Sequence, residues 1–303
     1  MTRDQRFICL SSLFWGFGLG LFLYIQPLYI ASLGANPEQI GLTLASSGLM
    51  VILLYIPIGL WADRRGRKPV ILAGWGLGTI ATFAMALAPD WRWVIPAQAA
   101  YLLSNFAVPA MNGYIAAGAG GNPTRMFAIV TSTSSLGSIL SPAIGGWIGE
   151  QFGLRLVYGC AAVSFGLSTL ALWNLSGQPG EPIQVRAAPR QLLTNRHFVW
   201  QVIFILLVFF AIDLGQVMAP NFLEQVRGLS LSQIGRLGTV GSFGIVVLTV
   251  LFGRVPAERR RALALAQAMA MLAMLILLNT GSLAWITLAY FIHGSNRVVR
   301  PIL

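Results

Sequence analysis

Long apolar runs separated by short polar loops dominate this sequence, and they limit the folds open to it more than any other feature. A helix needs about 20 apolar residues to cross the ~30 Å hydrocarbon core of a bilayer. Runs of about that length lie near residues 8–31, 38–62, 69–88, 93–118, 126–149, 155–175, 198–222, 232–253, 262–280 and 283–303. The alternation of apolar and polar residues that marks strands does not occur between them. The sequence therefore predicts an all-α integral membrane protein, a helical bundle with ten transmembrane helices.

The composition supports a membrane protein and argues against one that binds nucleic acid. Hydrophobic residues make up 56% of the 303 residues, charged residues make up 10%, and the mean hydropathy is +0.73. A soluble domain could not bury so much apolar surface, so the lipid bilayer is an expected partner. Most of the Arg and Lys behind the net charge of +11 lie in the loops between the runs. Nucleic acid is therefore not an expected partner.

The basic residues also predict an orientation, because cytoplasmic loops carry an excess of Lys and Arg. With the N-terminus in the cytoplasm, four of the 20 basic residues lie outside and the other 16 lie inside. The four outside are Arg92, Arg155, Arg227 and Arg236. We therefore expect a multi-pass protein whose N-terminus is cytoplasmic.

No arrangement of residues indicates an enzyme. Cys9 and Cys160 both lie in apolar runs, and we interpret them as small buried residues rather than as a disulfide. The spacing of His, Cys, Asp and Glu is not typical of a metal site, and neither a nucleophile–base pair nor a phosphate-binding glycine loop is visible. We expect no catalysis, metal or cofactor.

One long polar connection divides the chain. Residues 176–197 are rich in Gly and Pro and contain three Arg, which indicates a flexible cytoplasmic linker. They separate residues 1–175, a half with six helices, from residues 198–303, with four. An internal repeat supports this division, because residues 34–41 align with residues 228–235 at an offset of 194. Such a repeat is expected for two parallel halves related by an axis along the membrane normal.

The loop between the second and third runs carries the most specific motif. It reads Gly-Leu-Trp-Ala-Asp-Arg-Arg-Gly-Arg-Lys-Pro from Gly59 to Pro69. We expect Gly66 to turn with φ > 0, which a β-carbon would oppose. Pro69 suits the first turn of a new helix. Asp63 ends the preceding helix, where the helix dipole is already negative, so its carboxylate needs a partner from elsewhere.

This loop resembles the motif Gly-x-x-x-Asp-Arg-x-Gly-Arg-Lys of the major facilitator superfamily. The matching residues are Gly59, Asp63, Arg64, Gly66, Arg67 and Lys68. The alternative is an ordinary positively charged loop with a glycine turn. The resemblance implies a transporter of the bacterial inner membrane that acts as a monomer by alternating access. It also implies that this loop gates one closed state.

The resemblance further implies a longer chain. The family has twelve helices, of which ten are present, and the partner of Asp63 would be the N-terminus of helix eleven. The last run ends at Leu303 with no polar tail. We therefore expect a C-terminally truncated sequence whose second half, residues 198–303, is incomplete.

Asp213 is the clearest candidate for a functional side chain within a span. An aspartate near the centre of a transmembrane helix costs roughly 3 kcal/mol of insertion free energy, so an interaction must offset it. We expect Asp213, with Gln216 one turn on, to bind protons or substrate in a water-filled cavity. The alternative is a structural hydrogen bond or ion pair, for instance with His293 or Arg297.

Polar residues also recur on helices one, four and ten, which with helix seven surround the central cavity in the resembled family. Spacings of three and four residues on helix four predict one helical face. This face consists of Gln98, Tyr101, Asn105, Pro109 and Asn112; Gln26 lies on helix one, and His293 and Arg297 lie on helix ten. The alternative is that each polar group bonds a neighbouring helix.

Helix five carries a second motif, formed by Gly137, Pro142, Gly145 and Gly146. It resembles the Gly-x-x-x-Gly-Pro-x-x-Gly-Gly motif of the drug/proton antiporters, with Ser141 in place of one glycine. The alternative interpretation is that small residues let two helices approach closely, with a kink at the proline.

The two motifs together favour secondary active transport of a small organic solute. We expect efflux of a drug or metabolite, with protons as a candidate coupling ion, although helix four lacks the arginine usual in antiporters. One alternative is uptake of a sugar or organic anion, which a cationic site at Arg297 would favour. Another is a membrane sensor or scaffold of the same fold that transports nothing.

Overall fold

The computed structural model of the protein describes residues 1–63, 65–177, 195–213, 217–254 and 259–294. In these ranges the chain forms thirteen α-helices and one 3₁₀-helix, and no strand. The α-helices are α1 Arg3–Leu23, α2 Gln26–Ser32, α3 Pro37–Asp63, α4 Arg67–Ala86, α5 Trp91–Leu103, α6 Val108–Ala117, α7 Pro123–Phe152, α8 Leu154–Trp173, α9 Arg196–Asp213, α10 Ala219–Gln225, α11 Leu231–Arg254, α12 Arg259–Asn279 and α13 Leu283–His293. The 3₁₀-helix, Ser104–Ala107, joins α5 to α6.

Six segments of the described chain are long and apolar enough to cross a membrane. They are Arg3–Leu23, Arg67–Ala86, Trp91–Ala117, Pro123–Phe152, Leu154–Trp173 and Leu231–Leu251. The predicted all-α, multi-pass membrane architecture is confirmed. The count of ten spans stays a prediction.

Two of the apolar runs are divided rather than continuous. The run near 8–31 forms α1 and the short α2, and the run near 198–222 forms α9 and the short α10. Pro27 and Pro220 are each the second residue of the short helix. Proline lacks an N–H, so it cannot extend the hydrogen bonds of a preceding helix, but it fits the first turn of a new one. The prolines explain why both short helices begin where they do.

By its contacts the chain forms two compact units. The first contains Met1–Pro182 and Gly228–Thr239, and the second contains Ile183–Arg227 and Val240–Leu303. The first unit therefore includes the N-terminal part of α11, which follows the predicted linker in sequence. Residues 178–194 of that linker lie outside the described residues.

In the first unit, α1 packs against both α7 and α8, and α4 packs against α5 and α8. Small residues allow the close approach of α1: a β-carbon added at Gly18 would lie 2.7 Å from the ring of Phe165 on α8. Polar side chains add hydrogen bonds between the same helices. The hydroxyls of Ser11 and Ser168 lie 2.7 Å apart, and Ser164 donates to the carbonyl oxygen of Phe14.

In the second unit, α12 packs against α13. A β-carbon added at Gly244 of α11 would lie 3.1 Å from the Cα of Phe291 on α13. Arg227 donates to the carbonyl oxygen of Leu278 at 2.8 Å, near the end of α12. That arginine therefore satisfies a carbonyl group that a helix end leaves without a partner.

The two repeated segments have the same local conformation. Gly34 and Gly228 both have positive φ, 91° and 67°. Each is followed by a capping box, in which two residues three positions apart each donate their backbone N–H to the other's side chain. Asn36 and Gln39 form the box at α3, and Ser230 and Gln233 form the box at α11.

Candidate functional site

The predicted positive φ at Gly66 is wrong. Gly66 is the N-cap of α4 with φ −63° and ψ 157°, an extended conformation that any residue can adopt. The N-cap residue before a helix usually takes this conformation, although its carbonyl oxygen already accepts the first helical hydrogen bond. Pro69 is the third residue of α4, in its first turn as expected.

Two basic side chains of this loop contact helices of the first unit. Lys68 donates from Nζ to the carbonyl oxygen of Leu175 at 2.5 Å, just beyond the end of α8. The Nε of Arg67 lies 3.2 Å from the position of a β-carbon added at Gly113 on α6. Lys68 therefore joins the start of α4 to the residues that follow α8, and the Arg67 side chain lies beside the middle of α6.

The other motif residues of the loop are described only in part. Gly59 lies within α3, and Asp63 is its last residue. The side chain of Asp63 and the whole of Arg64 lie outside the described residues. The partner of the Asp63 carboxylate therefore stays a prediction.

A polar network beside this loop was missed by the sequence reasoning. Asp4, in the first turn of α1, accepts a hydrogen bond from the Tyr114 hydroxyl at 2.6 Å and from the Ser176 hydroxyl at 3.2 Å. The residues that meet are 110 and 172 positions apart in sequence. No local sequence pattern predicts such a contact, although an acidic residue in a first helical turn is common.

The predicted polar face of helix four, the run that forms α5, the 3₁₀-helix and α6, is interrupted. The 3₁₀-helix Ser104–Ala107 replaces the α-helical turn, and Val108 N–H bonds the carbonyl of Asn105. Pro109 explains this, because it has no N–H to bond the carbonyl four residues earlier, which is that of Asn105. Gln98 and Tyr101 before the break are buried, whereas Asn105 and Asn112 are exposed.

Tyr101 lies in an aromatic cluster of the first unit. Its ring stacks on those of Phe165, with centroids 5.9 Å apart, and Trp15, at 6.4 Å, and it meets the edge of Phe22 at 5.8 Å. Such contacts fix the position of the ring beyond what burial alone would do. The ring of Tyr101 therefore belongs to the packing between α1, α5 and α8.

Two predicted cavity residues hold buried polar atoms that bond to nothing in the described part of the chain. They are Nε2 of Gln26, at the start of α2, and Oε1 of Gln98, on α5. A buried polar atom without a partner costs about 1–3 kcal/mol. One of these atoms is a donor and the other an acceptor, so both are chemically free to bind a polar ligand.

The candidates of the second half lie at helix ends. Asp213 is the last residue of α9, and His293 is the last residue of α13 and is half-buried. The side chain of Asp213, and all of Gln216 and Arg297, lie outside the described residues. Among the described residues, no group of three or more His, Cys, Asp or Glu could hold a metal ion.

The motif predicted on helix five lies on α7, and its glycines face two different helices. A β-carbon added at Gly137 would lie 2.7 Å from the backbone nitrogen of Phe17, and one added at Gly145 would overlap the carbonyl of Leu21, both on α1. A β-carbon added at Gly146 would lie 2.9 Å from the Cα of Gly235, on α11. Each glycine therefore stands where two backbones touch.

Pro142 marks the point where α7 also bonds α11. The N–H of Ala143 donates to the Thr239 hydroxyl at 3.1 Å, and the carbonyl of Pro142 meets Gly235. A proline within a helix removes one backbone hydrogen bond and bends the axis, so nearby backbone groups can bond elsewhere.

Glu150, two residues before the end of α7, is a contact that the sequence reasoning did not find. It accepts hydrogen bonds from the backbone N–H of Ser232 at 2.8 Å and from the hydroxyl of Ser230 at 2.9 Å. Both partners lie at the N-terminus of α11, about 80 residues further along the chain.

Comparison with known proteins identifies the family. The model of the Major Facilitator Superfamily matches residues 8–298. A Streptococcus pneumoniae multi-drug resistance efflux pump, PmrA, is 24% identical over 72% of this chain and 57% of its own length. The multidrug resistance protein MdtG of Dickeya zeae is 27% identical over 75% of this chain and 58% of its own length. A Deinococcus radiodurans protein named for sugar efflux is 25% identical over 77% of this chain and 64% of its own length.

The chain thus spans less than two thirds of the length of these curated relatives. Among solved structures, that of the nucleoside transporter NupG has a TM-score of 0.80 at 13% identity, with 97% of this chain and 80% of that chain covered. That of a peptide transporter, POT, in complex with sulfate has a TM-score of 0.74 at 17% identity, with 100% and 81% covered. These structures share the fold.

Proposed function

The chain belongs to the Major Facilitator Superfamily, and from that premise we propose that the protein exports a small organic solute across a membrane by alternating access. The observation that carries the direction of transport is the set of curated relatives, since PmrA is named an efflux pump and MdtG a multidrug resistance protein. The motif of α7, which resembles that of the drug/proton antiporters, also supports export.

Gln26 and Gln98 are the proposed solute-binding residues of the first unit. Their buried, unpartnered atoms supply one donor and one acceptor. Burying a polar atom is favourable only when it finds a partner, so a solute with complementary hydrogen-bonding groups would offset the cost. Tyr101, Asn105 and Asn112 on the same helix four are proposed to line the path of the solute.

Asp213 is the proposed proton carrier. Its carboxylate follows a long apolar run, where an ionised side chain is costly and a protonated one is much less so. A change of protonation there can therefore be coupled to a change of conformation. Gln216, His293 and Arg297 are proposed to contribute the remaining polar groups of the second half.

The Asp213→Asn variant tests coupling to protons. In proteoliposomes with an imposed proton gradient, the wild-type protein should drive flux of the lipophilic cation ethidium, and the variant should lose that driven flux. Asp90→Asn is the matched control, because Asp90 caps α5 by accepting from Arg92 N–H and asparagine caps equally well. Normal driven flux by Asp213→Asn would contradict the proposal; equal yields of all three folded proteins make the comparison valid.

A sugar is the second candidate solute, because the Deinococcus radiodurans relative is named for sugar efflux. The two candidates differ in what the site must offer: several hydroxyl partners for a sugar, apolar and aromatic contact for a lipophilic drug. Competition of an unlabelled sugar against ethidium flux distinguishes them.

We further propose a monomer in the bacterial inner membrane with its N-terminus in the cytoplasm, carried by the 16-to-4 division of the 20 basic residues. Single cysteines at Arg65 and Asn36, in a background without Cys9 and Cys160, test the orientation. An impermeant thiol reagent should label the Asn36 site, and not the Arg65 site, in intact cells.

A further inference from the structure

Glu150 holds the N-terminus of α11 through two hydrogen bonds to one carboxylate oxygen. That oxygen accepts from the backbone N–H of Ser232 at 2.8 Å and from the hydroxyl of Ser230 at 2.9 Å. The first N–H groups of a helix have no partner within the helix, and a carboxylate is their most favourable one. The positive charge of Arg236, one turn further along α11, also acts on Glu150.

This carboxylate is not required to begin the helix. The N-terminus of α11 already has a complete capping box, in which Ser230 N–H donates to Gln233 Oε1 at 2.9 Å and Gln233 N–H donates to Ser230 Oγ at 3.3 Å. The repeated segment at α3 begins with the same kind of box, formed by Asn36 and Gln39. What Glu150 adds at α11 is therefore a link to α7.

The remaining contacts between α7 and this part of α11 are of a different kind. Gly146 and Gly235 bring the two backbones together, and Ala143 N–H bonds the Thr239 hydroxyl. Surfaces of small residues fit closely but do not interlock, so two such helices can separate without large side chains having to move out of holes. The bonds of Glu150 are the charged, directional part of this joint.

We propose that Glu150 is a latch that fastens the first turn of α11 to the end of α7, and that its release opens this joint during transport. The fastening stands on the geometry alone, whereas the release rests on the proposed function. Glu150 acts as a positioning residue: it sets where α11 begins relative to α7 and does not bind solute.

Hydrogen–deuterium exchange of the purified protein in lipid nanodiscs tests the fastening. Glu150→Ala should speed exchange of the amides of residues 231–239 at least about threefold, because local opening becomes easier. Glu150→Gln, which keeps an acceptor but loses the charge, should give a smaller increase. Glu38→Gln, which removes a carboxylate from the first turn of α3, should leave residues 231–239 unchanged.

A second variant removes the backbone donor of the Glu150 carboxylate. Ser232→Pro deletes the N–H that Glu150 accepts, and proline is tolerated at the second helical position, as Pro27, Pro109 and Pro220 illustrate. In that background Glu150→Ala should cause a clearly smaller increase than in the wild type. Unchanged exchange in Glu150→Ala, or equal effects with and without Ser232→Pro, would overturn the latch.

The release has its own readout. Ethidium added to the wild-type protein should speed exchange at residues 231–239, and it should add little in Glu150→Ala, where the joint is already released. If ethidium is transported but the exchange rate of these amides stays unchanged, the proposed release is wrong. Absence of any flux in proteoliposomes would instead count against the proposed function, and the exchange of the variants would still decide the fastening.

Discussion

Single atoms decide how closely α7 approaches its neighbours. A β-carbon added at Gly146 would overlap the carbonyl oxygen of Leu231 and would lie 2.9 Å from the Cα of Gly235. The obstacle is backbone in both cases, which cannot rotate away as a side chain can. Gly159 on α8 is the opposite case, because a β-carbon there would meet no atom within 4 Å.

Gly146→Ala should therefore destabilise the protein by about 1–3 kcal/mol, the usual cost of overpacking. Gly159→Ala should be neutral or stabilising by about 0.5–1 kcal/mol, because alanine favours a helix more than glycine does. The measurement is the thermal unfolding midpoint of both variants in detergent. Equal midpoints for the two variants would mean that α7 and α11 do not touch at Gly146.

Residue-level expectations from the sequence succeeded where the chemistry is local. Pro69 entered the first turn of α4 as its fixed φ requires. The sequence predicts a turn with φ > 0 at Gly66, but the helix that follows imposes the extended N-cap conformation. The partner of Glu150 could not be read at all, because it lies about 80 residues away and neither segment carries a mark of the other.

Helices show the same division between local and distant causes. Apolar runs predicted the six described segments that can cross a membrane, since length and composition alone decide whether a helix can do so. They did not predict the 3₁₀-helix Ser104–Ala107, although Pro109 in the same run is the residue that explains it. As a result, the predicted single polar face of helix four is divided into a buried part, with Gln98, and an exposed part, with Asn112.

The repeat between α3 and α11 makes a matched prediction about two elements. Gly34 and Gly228 both have positive φ, and a β-carbon at either would meet no atom within 4 Å. The cost of Gly34→Ala and of Gly228→Ala is therefore conformational and should be similar, about 1 kcal/mol each.

Gly48→Ala is the control for this pair. Gly48 lies inside α3 without positive φ, and a β-carbon there would also meet no atom within 4 Å, so alanine should stabilise the helix. Thermal unfolding of the three variants gives the comparison. A loss at only one of Gly34 and Gly228 would show that the two segments are not equivalent in the folded protein.

At the scale of the whole molecule, the sequence predicts the protein class and the family better than it predicts the boundary between the two units. The loop from Gly59 to Pro69 and the apolar runs were sufficient for the membrane class and the family. The proposed boundary at residues 176–197 rests on composition, whereas contacts assign Gly228–Thr239 to the first unit. That assignment depends on the contacts that Ala143, Gly146 and Glu150 of α7 make with α11, and composition carries no information about such contacts.

Transport into inside-out membrane vesicles tests the central claim most directly, because an exporter concentrates its solute in their lumen. On energisation, vesicles that contain the wild-type protein should accumulate ethidium several-fold above vesicles without it. The accumulation should collapse when a protonophore removes the gradient. Accumulation only in right-side-out vesicles would contradict export and favour uptake; no accumulation of ethidium or of a sugar in either kind of vesicle would contradict transport itself.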